Sequence, residues 1–332
     1  MKAVVLEKAR KITIDERPDP GRPGPFEVRV KIGSVGVCGS DVHYYAHGRI
    51  GDFIVEAPMI LGHEAAGVIE EIGDGVTGLS IGDVVALEPG IPCGTCHYCK
   101  IGRYNLCEDV QFFATPPVDG ALIESVVHPA SFTYKAPKGM TEDLACLAEP
   151  MSVAVSAIRR AKLTMGEEVL VVGAGPIGVF TALVAEMSGA NPTVVDVSRE
   201  RLDIARQMGI LSVHHSEIDR QFDVVIECSG ADNMVLRACE LVRAGGTVVL
   251  VGLHRTDRVE IPVFKTITRE LNIVGVHRYA NTYPAALSLL KRAEDRLQPM
   301  MSSFVTIDQV ADHFENVVEG HVSSLKTIVR MR

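Results

Sequence analysis

The stretch Gly62-His63-Glu64-Ala65-Ala66-Gly67 sets an imidazole beside a carboxylate, among residues small enough for the backbone to approach a ligand closely. A thiol stands upstream at Cys38, in Gly36-Val37-Cys38-Gly39-Ser40-Asp41, and a further carboxylate far downstream at Glu149, in Ala148-Glu149-Pro150. Sulfur, nitrogen and oxygen donors together are the ligand set of a catalytic zinc, where three protein ligands leave one position for water or substrate. A His-Glu pair alone is more often a surface feature, so the rest of the chain decides.

A second set of donors follows. Cys93, Cys96, Cys99 and Cys107 are spaced C-x2-C-x2-C-x7-C. Such a set can close as a tetrahedral thiolate cage, which suits zinc because that ion imposes no geometry of its own. A closed four-sulfur site has no open position, so its work is to hold a loop. Cys146, Cys228 and Cys239 sit in apolar settings and read as core.

From Glu168 the pattern changes to a continuous apolar run, Val169-Leu170-Val171-Val172, as in a strand buried on both faces. Gly173-Ala174-Gly175-Pro176-Ile177-Gly178 comes next and an apolar helix after it, which is G-x-G-x-x-G in its strand-to-helix setting. The second strand ends at Asp196, placed to accept from both ribose hydroxyls of a dinucleotide. A 2′-phosphate would face that carboxylate, which favours NAD over NADP. Arg199 and Arg201 are the side chains that could turn to such a phosphate instead.

These groups need elements to position them. Lys2 to Leu6, Lys11 to Asp15, Glu27 to Val35, Ala66 to Ile72, Asp83 to Leu87 and Ala121 to Val127 read as short strands with Gly and Pro between them, a mainly β module. Beyond Glu168, strands at Phe222 to Glu227, Thr247 to Val251 and Leu271 to Val276 alternate with a helix over Asn233 to Arg243, as in a parallel, doubly wound sheet. Between the strand-like Leu211 to His215 and Phe222 there is room only for a tight link. From Tyr283 a helix over Pro284 to Ala293, a strand at Ser303 to Thr306, a helix over Ile307 to Glu319 and a strand at Lys326 to Met331 are expected to return to the first module.

The 332 residues favour two domains. Lys+Arg 33 against Asp+Glu 42 leaves a net charge of −9 with no basic block, which argues against nucleic acid or an anionic membrane as partner. The opening apolar run, broken at Glu7 and Lys8, is too short for an export signal, so a reducing cytoplasm with free or metal-bound thiols is expected.

With Cys38, Gly62-His63-Glu64, the four-cysteine lobe and the glycine turn in this order, the chain resembles the zinc-dependent medium-chain dehydrogenases/reductases. It is similar to their sorbitol (polyol) dehydrogenase branch through CGSDVHYY at Cys38 to Tyr45, GRIGDF at Gly48 to Phe53, GRYNL at Gly102 to Leu106, FATPPVDG at Phe113 to Gly120 and HRYANTYP at His277 to Pro284. The resemblance implies an α/β chain with a GroES-like, mainly β catalytic domain from residues 1–150 and 284–332 around a Rossmann domain of residues 151–283. Two zinc ions and NAD are implied, as is oxidation of a secondary hydroxyl of a polyol to a ketose, with a zinc threonine or other secondary-alcohol dehydrogenase and a non-catalytic nucleotide-binding relative as alternatives.

Residue roles follow from the same resemblance. Cys38, His63 and Glu64 are implied as catalytic zinc ligands, with Glu149 closing on the metal directly or through water. Ser40 and His43 match positions that pass the substrate proton outward. Tyr44, Phe53, Phe112 and Thr115 are implied to line the pocket, and Arg278 with Tyr279 to bind the polyol, although Arg278 could instead pair with the cofactor or with Glu149. The cofactor set comprises Gly173, Gly175, Pro176, Ile177, Gly178, Asp196, Arg201, Ser229, Val251, Gly252, Leu253, Val276 and Arg278. A cytoplasmic homotetramer is also implied.

Overall fold

The computed structural model describes residues 1–254, 258–322 and 324–332. The chain divides into two compact units, Met1–Glu149 with Tyr283–Glu294 and Met301–Arg332, and Pro150–Thr282 with Asp295–Met300.

The first unit is built around the strand Glu27–Gly36. Val28, Val30 and Ile32 alternate into the core while Lys31 stays exposed. It pairs antiparallel with Glu64–Ile72, with Ser125–Pro129 and with the C-terminal strand Thr327–Arg330. The full order runs Thr133–Lys135, Val84–Leu87, Glu64–Ile72, Glu27–Gly36, Thr327–Arg330 and Ser303–Thr306, the last pair being parallel. Val4, Leu6, Ile69, Leu87, Leu122 and Phe314 fill the interior against it, each fully buried aliphatic side chain contributing about 1.5–3 kcal/mol.

One expectation for this unit shifts. The strand expected over Ala121 to Val127 begins at Ser125, because the preceding residues run past the Met59–Ile60 strand instead, with Leu122 N–H donating to Leu61 O and Ala121 N–H to Gly62 O. Sequence periodicity also gave no sign of the helices Gly39–His47 and Ala148–Ala161.

The second unit is a six-stranded sheet, parallel throughout, in the order Ser212–His214, Asn191–Asp196, Glu168–Val172, Phe222–Glu227, Val242–Leu250, Asn272–Gly275. Val169, Leu170 and Val171 are fully buried, as a strand covered on both faces requires. The order reverses between Glu168–Val172 and Phe222–Glu227, and in such sheets ligands bind beyond the strand ends at that point. The tight link is present: only the 3-10 turn His215–Glu217 lies between the edge strand Ser212–His214 and Phe222. Among the described residues no helix is long and apolar enough to cross a membrane.

Candidate active site

Three strand ends of the first unit converge on one point. Glu27–Gly36 runs out into Cys38, Glu64–Ile72 starts directly after His63, and Thr327–Arg330 starts directly after Lys326. Gly36 pairs with Glu64 on one side and with Ile328 on the other. A Cβ at position 36 would lie 2.0 Å from Glu64 Oε2, so glycine is what admits the carboxylate. Ligand atoms of Cys38, His63 and Glu64 consequently lie within 4.8 Å of one another. His63 and Glu64 are buried and Cys38 is half-buried.

Two residues that sequence reasoning missed hold this group. Asp41, fully buried in the first turn of Gly39–His47, accepts from Cys38 N–H at 3.1 Å and from Gly62 N–H at 3.1 Å, and its Oδ1 lies 3.6 Å from His63 Nδ1. A carboxylate beside Nδ1 leaves Nε2 as the nitrogen available to a metal, as in metal-bound histidines whose other nitrogen faces an acid. Burial pulls the His63 pKa down, but Asp41 and Cys38 together carry it well above the ordinary value, so the site favours positive charge where a metal would bring it.

Lys326 is the second. Its ammonium, buried to 2% exposure, donates to Glu64 Oε1 at 2.7 Å, to Glu64 Oε2 at 2.8 Å and to Val37 O at 3.0 Å. Burial lowers its pKa, and Glu64, Cys38 and Glu149 raise it further, leaving it above the ordinary lysine value. Lys326 places one positive charge among several buried acids, Asp41 included, so the donor set of Cys38, His63 and Glu64 fits a divalent zinc.

Glu149 lies in the first turn of Ala148–Ala161 and is 6% exposed. Glu88, also buried, accepts from Tyr104 Oη at 2.7 Å and from Tyr134 Oη at 2.9 Å. Burial pushes its pKa up to about 7, against the pull of the two tyrosines and with a further rise from Glu149.

Cys93, Cys96, Cys99 and Cys107 converge independently, their sulfurs within 4.8 Å of one another. Cys96 and Cys99 Sγ are 3.4 Å apart, and Cys93 Sγ accepts from Cys96 N–H at 3.4 Å. Hydrogen bonds from the Thr95 and Cys96 backbone pull the Cys93 pKa down to about 6, while desolvation and then Cys96 push Cys99 up to about 12. Thiols this close cannot all ionise unless a cation sits among them, which is the condition a structural zinc meets.

In the second unit Gly175 caps the helix Pro176–Met187, with proline at its start. A Cβ at Gly178 would lie 1.8 Å from Gly173 O, so the helix can approach the turn only with glycine there. Asp196 accepts from Ala174 N–H at 2.7 Å and Ser198 N–H at 2.8 Å, with Arg201 Nη1 at 4.0 Å. Glu227, another residue the sequence did not flag, ends the neighbouring strand fully buried. Its side chain accepts from Ser229 N–H at 2.7 Å and Gly230 N–H at 3.0 Å, and its carbonyl accepts from Val251 and Gly252 N–H. The expected cofactor residues Ser229, Val251 and Gly252 are thus gathered around one residue, Ser229 on its carboxylate and the other two on its carbonyl, with the exposed Leu253 following them. Val276 N–H donates to Leu250 O beside them.

Ser40, His43 and Tyr44 lie on Gly39–His47, with His43 exposed and Tyr44 buried in the core. Phe112 packs its ring 5.8 Å from that of His63. Thr115 sits in a turn after it, and Phe53, 48% exposed, is on a separate two-stranded hairpin. Arg278 and Tyr279 belong to the second unit, Tyr279 buried and Arg278 at φ 50°.

Residues 24–138 match the alcohol dehydrogenase GroES-like domain and residues 176–292 the zinc-binding dehydrogenase domain. The chain is 40% identical over 333 residues to a sorbitol dehydrogenase of Gallus gallus, covering 96% of this chain and 93% of the relative. It is 37% identical over 343 residues to D-xylulose reductase A of Aspergillus niger, covering 98% and 95%. Among solved structures, L-idonate 5-dehydrogenase from Escherichia coli superposes with a TM-score of 0.91 at 28% identity, covering 99% of this chain and 98% of that one.

Proposed function

The chain belongs to the zinc-dependent medium-chain dehydrogenase/reductase family, and from that premise we propose that it interconverts a linear polyol such as xylitol or sorbitol and the corresponding ketose with NAD. The observation that carries this reading is the convergence of Cys38, His63 and Glu64 from two neighbouring strand ends. When bound, zinc lowers the pKa of a hydroxyl placed on it and the nicotinamide takes up the hydride.

The chain's residues supply the rest. Cys38, His63 and Glu64 hold the metal, and Glu149 holds water or closes on it. Ser40 and His43, three residues apart on one face of the Gly39–His47 helix, carry the substrate proton, Ser40 taking it at Oγ and the exposed His43 releasing it to water. Tyr44, Phe53, Phe112 and Thr115 shape the pocket, while Arg278 and Tyr279 bind hydroxyls beyond the reacting carbon. Cys93, Cys96, Cys99 and Cys107 keep their loop folded around the second zinc.

The Gly173–Gly178 turn carries the pyrophosphate, and Asp196 selects NAD by its charge against a 2′-phosphate. The first compact unit serves as catalytic domain and the second as NAD domain. We further infer a cytoplasmic homotetramer. Its support is the exposed run Val263, Phe264 and Ile267 with the edge strand Asn272–Gly275, a surface a second copy could cover.

Initial rates over a panel of polyols, ketoses and simple alcohols test the reading. A pocket built to bind hydroxyls rejects analogues lacking them by up to ~10⁴. Arg278→Met should depress polyol turnover while leaving NAD affinity nearly unchanged. If 2-propanol rivals xylitol and sorbitol, a general secondary-alcohol dehydrogenase replaces the polyol reading.

A further inference from the structure

We propose that His43 and His47 form a third transition-metal site, on the exposed face of the Gly39–His47 helix and separate from the two cysteine-containing sites. Residues four apart on a helix stand one above the other, and these two imidazoles, both exposed, have centroids 5.9 Å apart with their planes inclined by 35°. Two imidazoles sharing one tetrahedral cation at about 2.0–2.1 Å per nitrogen have centroids about 5 Å apart, so a small rotation about the side-chain bonds completes the chelate.

The helix end favours a cation. His47 is the last residue of the helix, which Gly48 ends in the left-handed conformation at φ 68°, and the carbonyl end of a helix carries partial negative charge. Each ring has two nitrogens, so a hydrogen bond at one leaves the other for a metal. Imidazole pairs select zinc, copper or nickel over magnesium or calcium. With two protein ligands and the remaining positions filled by water, this ion exchanges freely, unlike one held by four thiolates.

The site has a consequence that rests on the proton path proposed above. An ion bridging His43 and His47 occupies the side chain that releases the substrate proton, so free zinc inhibits turnover without displacing either resident metal.

The test uses the holoenzyme carrying its two zinc ions, freed of loose metal by gel filtration and titrated with zinc chloride, and separately with nickel chloride, by calorimetry. Wild type should bind one further ion per chain, and His47→Gln should weaken it at least about tenfold while its rate in metal-free buffer stays at the wild-type value. Free zinc should inhibit wild type at the concentration that fills this site, and His47→Gln should need at least about tenfold more. The site is overturned if wild type takes up no further ion, or if His47→Gln takes one up with unchanged affinity. A third ion that depends on His47 but does not inhibit leaves the site standing and removes His43 from the proton path.

Discussion

Lys326 Nζ lies 2.7 and 2.8 Å from the two carboxylate oxygens of Glu64, both residues almost completely buried. A buried pair broken on one side costs about 3–5 kcal/mol, because the remaining charge is left uncompensated. Lys326→Met should therefore destabilise the chain by about that amount after treatment with a chelator. The zinc-loaded variant should lose less, because the metal takes over compensation of Glu64. Urea unfolding of both proteins with and without zinc checks this; equal losses in the two states would mean that Glu64 does not face the metal.

The two metal centres should fail differently. Cys38→Ser should remove one of two zinc ions and nearly all activity with the fold kept, since Cys38 lies beyond the end of Glu27–Gly36 and not within the sheet. Cys96→Ser should release the other ion and chiefly lower thermal stability, as loss of a structural metal does. Metal analysis with a melting curve reads both.

Asp196 accepts two backbone N–H groups in addition to its proposed part in ribose binding. Removing a charged hydrogen-bond acceptor costs about 1.5–3 kcal/mol. Asp196→Ser should weaken NADH binding roughly 10- to 100-fold and narrow the gap to NADPH, as followed by nucleotide fluorescence. Wild type using both cofactors equally would shift the specificity to Arg199 or Arg201.

Glu88 gives a pH signature. Its folded pKa is raised to about 7 from 4.5, so between these values the unfolded chain releases a proton that the folded chain keeps. Stability contributed by the protonated acid is present in full below about 4.5, falls as pH rises to about 7 and is constant above, a loss of about 3 kcal/mol. Glu88→Gln should abolish that slope, so the wild-type and variant urea midpoints should diverge most at pH 8. Parallel midpoints from pH 5 to pH 8 would show that Glu88 is ionised throughout.

What the sequence disclosed was local in the chain. The four cysteines and the glycine turn each lie within about one supersecondary unit, where spacing alone encodes geometry. Cys38, His63 and Glu64 were legible because their neighbours are small and motif-like. Lys326 was not: it sits 262 residues from Glu64, and only the insertion of Thr327–Arg330 beside Glu27–Gly36 brings the two together. Asp41 was hidden for another reason. The helix carrying it is short and opens with Gly39 and Ser40, so no apolar period announces it. Glu88 follows the end of Val84–Leu87, and the tyrosines it meets stand 16 and 46 residues away; Glu227 ends its strand and meets Ser229 and Gly230 close by in the chain, where no motif marks the contact.

The insertion of the C-terminal strand also orders the life of a newly made chain. Translation proceeds at about 5–20 residues per second, so Glu64 leaves the ribosome tens of seconds before the lysine that pairs with it, and the whole six-stranded parallel sheet is made in the interval. During that time the nascent first unit has an acid at a closed strand end with no counter-ion and an open sheet edge where Thr327–Arg330 will go. The six-stranded parallel sheet is therefore complete in sequence while the first unit still lacks the strand that lies beside Glu27–Gly36.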